Sequence, residues 1–75
     1  KYAEAEALYA EALAMRRRLF PRDHPSVATS LGNLAGLYQA RGKYAEAGER
    51  YREALGVTRR LVTQFAGGKS EGDAL

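Results

Sequence analysis

The 75-residue chain has no cysteine and a single histidine. Without a thiol there is neither a disulfide framework nor a thiolate metal site, and the composition fits a reducing compartment such as the cytoplasm. No apolar run approaches the ~20 residues needed to cross a bilayer, so a membrane partner is not expected. His24 has no second histidine to help hold a metal, and in a turn before a proline it is a poor base for Ser26, Ser30 or Ser70. No pair of acids is set among apolar residues where a carboxyl pKa would be moved for acid–base work. Alternation of apolar and polar residues is also missing, which removes β-strands. Gly67-Gly68 therefore cannot be the phosphate loop that follows a strand. These absences exclude an enzyme and call for no metal and no cofactor.

Charge is plentiful but dispersed. Twelve Lys and Arg against nine Asp and Glu give a formal net charge of +3. Glu4, Glu6, Glu11, Glu46, Glu49 and Glu53 are interleaved with the arginines. The densest basic run is Arg16-Arg17-Arg18, and consecutive helical residues point about 100° apart, so it cannot form one flat patch. It reads as a solvated helix face near a C-terminus, where cations suit the macrodipole. A nucleic-acid partner is not expected from this pattern.

What the chain does have is repetition. Lys1-Tyr2-Ala3-Glu4-Ala5 returns 42 residues later as Lys43-Tyr44-Ala45-Glu46-Ala47, and 12 of the 19 aligned pairs from Lys1/Lys43 to Leu19/Leu61 are identical. Repetition at a period of 20–50 residues marks a solenoid, whose units bury their apolar faces against their neighbours. The pattern is already under way at Lys1, which points to a fragment of a longer array. One small domain of this length buries only about 60% of its unfolded-chain surface.

Three helices are predicted. The first covers residues 1–20, with an expected buried stripe of Tyr2, Ala5, Leu8/Tyr9, Ala12/Leu13, Met15 and Leu19. Pro21 breaks it, and Pro25 suits a first helical position, with Asp23 or His24 as N-cap. The second helix spans about 25–41, with Val27, Leu31, Leu34/Ala35 and Tyr38 as core and Gly42 as a left-handed terminator. The third spans about 43–65, with a stripe of Tyr44, Ala47, Tyr51, Ala54/Leu55, Thr58, Leu61/Val62 and Phe65. Gly67-Gly68 is expected to end it, leaving 66–75 as a polar tail that is disordered unless something holds it.

The spacing Leu31-x-x-Leu34-Ala35-x-x-Tyr38, followed by Gly42-x-Tyr44-x-x-Ala47-x-x-x-Tyr51-x-x-Ala54, resembles the signature of the tetratricopeptide repeat. The 42-residue period and the Asp23-His24-Pro25-x-Val27-Ala28 junction resemble the kinesin light chain subtype. The resemblance implies an all-α fold of antiparallel helical hairpins in an α-solenoid, about one and a half repeats long. Residues 1–20 would be the second helix of a partial repeat and 21–65 a complete helix pair. Ala35, Ala47 and Ala54 are small where helices approach closely, and Tyr38, Tyr44 and Tyr51 are expected to fill gaps between layers.

The resemblance also implies a concave wall lined by the first helix of each repeat. Thr29, Asn33, Gly36, Gln39 and Ala40 occupy the matching positions. Asn33 aligns with the asparagine that, in peptide-binding members of the family, hydrogen-bonds the ligand backbone or its terminal carboxylate. An amide suits this because it both donates and accepts. Thr29 stands where carboxylate-binding members often carry Lys or Arg, a departure that weakens the case for such a clamp. Gly32 and Gly36, costly inside a helix, either leave a shallow, open groove for a ligand backbone or reflect helix packing or sequence drift.

The expected function is a protein-interaction scaffold that takes a peptide or partner protein in this trough. Arg22 and Arg41 would be rim charges favouring an acidic partner. A second reading is self-association, because one and a half repeats fall short of the three or so usually needed and would leave apolar helix faces uncovered. A third and weaker reading is an RNA-binding helical repeat, for which the period is wrong.

Overall fold

Helix-forming residues dominate each predicted segment, and three helices form. The computed structural model describes the backbone of residues 1–74 and the side chains as far as Ala66. Helix α1 is Tyr2–Leu19, α2 is Pro25–Ala40 and α3 is Tyr44–Ala74. The chain is 86% helical, and none of the described residues is in a strand.

The junctions explain the boundaries. Phe20 closes α1 through its N–H to the Arg16 carbonyl, and its ring stacks on His24 with centroids 3.8 Å apart. His24, not Asp23, caps α2: Nδ1 accepts the Ser26 N–H at 3.0 Å, satisfying a donor that no helical carbonyl reaches, and Pro25 takes the first helical position. Helix α2 ends in a double closure, Gly42 N–H to the Gln39 carbonyl (3.0 Å) and Lys43 N–H to the Tyr38 carbonyl (2.8 Å). That closure needs a left-handed residue, and Gly42 supplies it with φ of 78°. Three residues thus reverse the chain between α2 and α3.

At the far end the expectation is corrected. Helix α3 does not stop at Gly67-Gly68 but continues to Ala74. Glycine costs about 1 kcal/mol against alanine in a helix, yet it keeps its N–H and, unlike proline, does not forbid the next turn. Whether a contact holds the tail lies outside the described side chains.

Helix α2 is the centre of the packing. It lies against both α1 and α3, while the α1 and α3 backbones do not touch. Leu31, Leu34 and Val27 of α2 meet Leu13 from α1 and Val57 from α3 in one buried cluster, flanked by Tyr38, Ala54 and Leu61. Ala35 and Ala47 are buried where α2 and α3 approach, as their size requires.

The stripes of α1 and α3 come out differently from expectation. On α1 only Leu13 is buried; Tyr2, Leu8, Tyr9, Met15 and Leu19 are exposed. On α3, Tyr44, Tyr51, Leu55, Val62 and Phe65 are exposed, so Tyr44 fills no gap here, and the buried residues are Ala47 and Val57. Each outer helix packs its backbone on α2 alone, so the apolar residues on its other faces stay uncovered.

Ion pairs lock the two seams. Arg41 and Lys43, at the α2–α3 turn, both reach Glu6 of α1. Arg60 of α3 grips Asp23 with Nε (2.6 Å) and Nη2 (3.0 Å). The hydrogen bond from Arg41, aided by the charge of Lys43, holds the Glu6 carboxyl below its ordinary range, and Arg60 does the same for Asp23. Reciprocally, Asp23 raises the Arg60 guanidinium. Arg16 is no part of a solvated run: it donates to Ser30 Oγ (2.8 Å) and the Ser26 carbonyl (3.2 Å) across the α1–α2 seam.

Two outcomes follow. Ala47→Leu overpacks the α2–α3 seam and lowers stability by roughly 1–3 kcal/mol in chemical denaturation; an unchanged midpoint would mean the seam is loose. Because both carboxyl pKa values are lowered by folding, their stabilisation is complete above the ordinary values of 4.5 for Glu6 and 3.8 for Asp23. It is lost as the pH falls through the lower folded values. Denaturation at stepped pH should show this acid loss, and Glu6→Gln should flatten it without changing its direction.

Candidate binding surface

The outer face of α2 is fixed by the inner one. With Val27, Leu31 and Leu34 drawn into the cluster, residues about half a turn away must face outward. Thr29, Asn33, Gly36 and Ala40 fall within about 60° of one another around the helix axis, opposite the core. Thr29, Asn33 and Ala40 are exposed and Gly36 is half-buried. Gln39 is turned towards α3, where its Oε1 accepts the Tyr51 hydroxyl at 3.3 Å.

Thr29 satisfies itself by donating to the Pro25 carbonyl at 3.1 Å. Asn33, by contrast, stands at the mouth of a hollow shared with Tyr9, Ala12, Arg16 and Ser30. A Cβ at Gly36 would meet the Tyr51 hydroxyl at 3.7 Å, and one at Gly32 would meet nothing within 4 Å. Packing therefore does not demand glycine at 32, and at 36 the glycine leaves a shelf beside Tyr51.

Two residues that sequence reasoning assigned to packing belong to this face. Tyr9 and Tyr51 are partners in the 42-residue repeat and flank α2 from either side, both partly exposed. Their matching positions were the available signal, because equivalent residues in a solenoid recur at equivalent places on its wall. The two arginines expected at the rim serve elsewhere: Arg41 is bound to Glu6, and Arg22 lines a different cleft near the α1–α2 turn.

Among the described residues no three His, Cys, Asp or Glu side chains gather to hold a metal ion. No described helix is long and apolar enough to cross a membrane. What the face offers is an amide, two phenols and a strip of backbone thinly covered by small side chains, groups that bind by shape and hydrogen bonding.

Comparison with known proteins agrees with this architecture. The tetratricopeptide repeat family matches residues 1–60. No curated protein and no solved structure matches the chain. Antiparallel pairing of α2 with α3, a further helix α1 packed on α2 and the match over most of the sequence lead to one assignment: the chain belongs to the tetratricopeptide repeat family, a helical-repeat fold that generally mediates protein–protein interaction.

Proposed function

We propose that the outer face of α2 receives a peptide segment of a partner protein, with Asn33 as the polar anchor. The observation that supports this is the side-chain economy of the face. Thr29 and Gln39 have intramolecular partners, whereas Asn33 is exposed beside the tyrosine-flanked hollow and its amide is available to a peptide backbone. Gly32 and Gly36 let a ligand backbone come close, and Ala40 keeps the trough open towards the α2–α3 turn. The 42-residue spacing and the Asp23-His24-Pro25 junction support placing the chain with the kinesin light chain-like subtype, and a cysteine-free composition suits the cytoplasm.

The test uses peptides selected against the folded chain from a random library. Asn33→Ala is expected to weaken the selected peptides about tenfold, the value of one to two hydrogen bonds, with unchanged helicity. Gly36→Leu, which fills the trough, should weaken them further. Retention of full affinity in both variants would remove this face from consideration.

A second reading, association of the chain with itself through its end faces, is favoured by the repeat equivalence. Leu13 is 5% exposed because α2 covers it, while its counterpart Leu55 is 56% exposed. Val57 is 6% exposed, and its counterpart Met15 is 53% exposed. Each outer helix thus shows the apolar residues that a further helix covers at the other site. Sedimentation at rising concentration should reveal dimers or larger species that Leu55→Glu disperses; a monomer throughout would leave only the peptide-binding reading.

A further inference from the structure

A cleft lies away from the outer face of α2. Because the α1 and α3 backbones do not touch, a gap of about 660 Å³ opens between the C-terminal end of α1 and the middle of α3. Its volume falls in the range of ligand-binding sites. The core side of α2 floors it through Val27, and α3 adds Val57. Val27 lies about 160° around α2 from Thr29, so the two surfaces look in different directions.

The walls are basic. Arg17, Arg22, Arg52 and Arg60 line the gap, against only two carboxylates, Asp23 and Glu53. Arg17 spans the opening to Glu53 at 2.8 Å, and Arg60 is held by Asp23. Arg22 and Arg52 have no carboxylate within salt-bridge distance among the described residues. The cleft therefore carries a surplus of two positive charges, with Phe20 and Pro21 as its exposed apolar surface.

The glycines of α3 take part in this. A Cβ at Gly56 would come within 3.4 Å of Arg60 Nη1, and one at Gly48 within 3.6 Å of Arg52 Nη1. Each guanidinium lies back over a residue with no side chain, one helical turn before it. The arrangement is particular to α3, since the residues 42 positions before Gly48, Arg52 and Gly56 are Glu6, Ala10 and Ala14. Two of the four arginines are thus held in place by carboxylates, and two are free to pair with an incoming anion.

We infer that the cleft between α1 and α3 is a second binding site, which takes an acidic peptide segment carrying an apolar side chain. The apolar residue would rest against Pro21 and the exposed edge of Phe20 while flanking carboxylates pair with Arg22 and Arg52, whose planar forks suit carboxylate. A nucleic acid fits less well. Its bases ask for free aromatic rings, and the ring at this cleft, Phe20, is already stacked on His24. The site is separate from the outer face of α2 and stands or falls without it.

The experiment titrates the full chain into a fluorescent decapeptide of Asp and Glu with a central Leu, read by anisotropy. Binding is expected to weaken at least about tenfold in Arg22→Glu/Arg52→Glu, to weaken with added salt, and to drop severalfold when the Leu becomes Ser. Asn33→Ala should leave it unchanged, which separates this site from the α2 face. The paired Gln substitutions, checked by circular dichroism, replace the Glu variant if charge reversal perturbs folding. No binding up to about 1 mM, equal binding by the charge variant, an equal loss in Asn33→Ala, or tighter binding of a single-stranded oligonucleotide would each overturn the assignment.

Discussion

Burial of α2 between two helices whose backbones do not touch each other sets the other properties of the chain. Leu31, only 1% exposed, sits at the middle of this contact, with Leu13 on one side and Val57 on the other. The contact draws one face of α2 inward and so presents the opposite face, with Asn33, to solvent. It also keeps α1 and α3 apart, which opens the basic cleft between them. Apolar burial of this kind has no direction of its own. The small residues Ala35 and Ala47 and the ion pairs of Glu6 and Asp23 set how closely and in which register the helices meet.

The polar residues share out this work unevenly. Arg16, Arg41, Lys43 and Arg60 are engaged in seams, while Arg22 and Arg52 are not. Exposed ion pairs add little stability each, about 0–1 kcal/mol. Their clearer effect here is selective: they remove some cations from the surface chemistry and leave others available. A net charge of +3 conceals this, because the surplus is concentrated where α1 and α3 stand apart.

Much of the fold could be read from residue order. The period of 42, the proline pair at 21 and 25, and Gly42 each fix a local event: a repeat, a break, a left-handed closure. The core of α2 was legible for the same reason, since Val27, Leu31, Leu34 and Ala35 keep one helical face. The faces of α1 and α3 were not. Periodicity says which residues are apolar on one side, but not how many of them a single neighbouring helix covers. Leu8, Met15, Leu55 and Val62 are apolar and uncovered for that reason. The helix end at Gly67-Gly68 was misread because glycine is a weak breaker, and its usual role at C′ is no rule.

The candidate surfaces divide in the same way. Asn33, Thr29, Gly36 and Ala40 share a stripe that helical phase alone defines. The roles of Tyr9 and Tyr51, the engagement of Arg41 by Glu6 and the freedom of Arg52 depend on which helix lies across from them. Order along the chain determined the helices, their turns and the family, because those are written in contacts a few residues apart. Only the tertiary structure decided which apolar residues are covered and which charges remain free, because those answers come from side chains about 35 residues distant, such as Arg17 with Glu53 and Arg60 with Asp23.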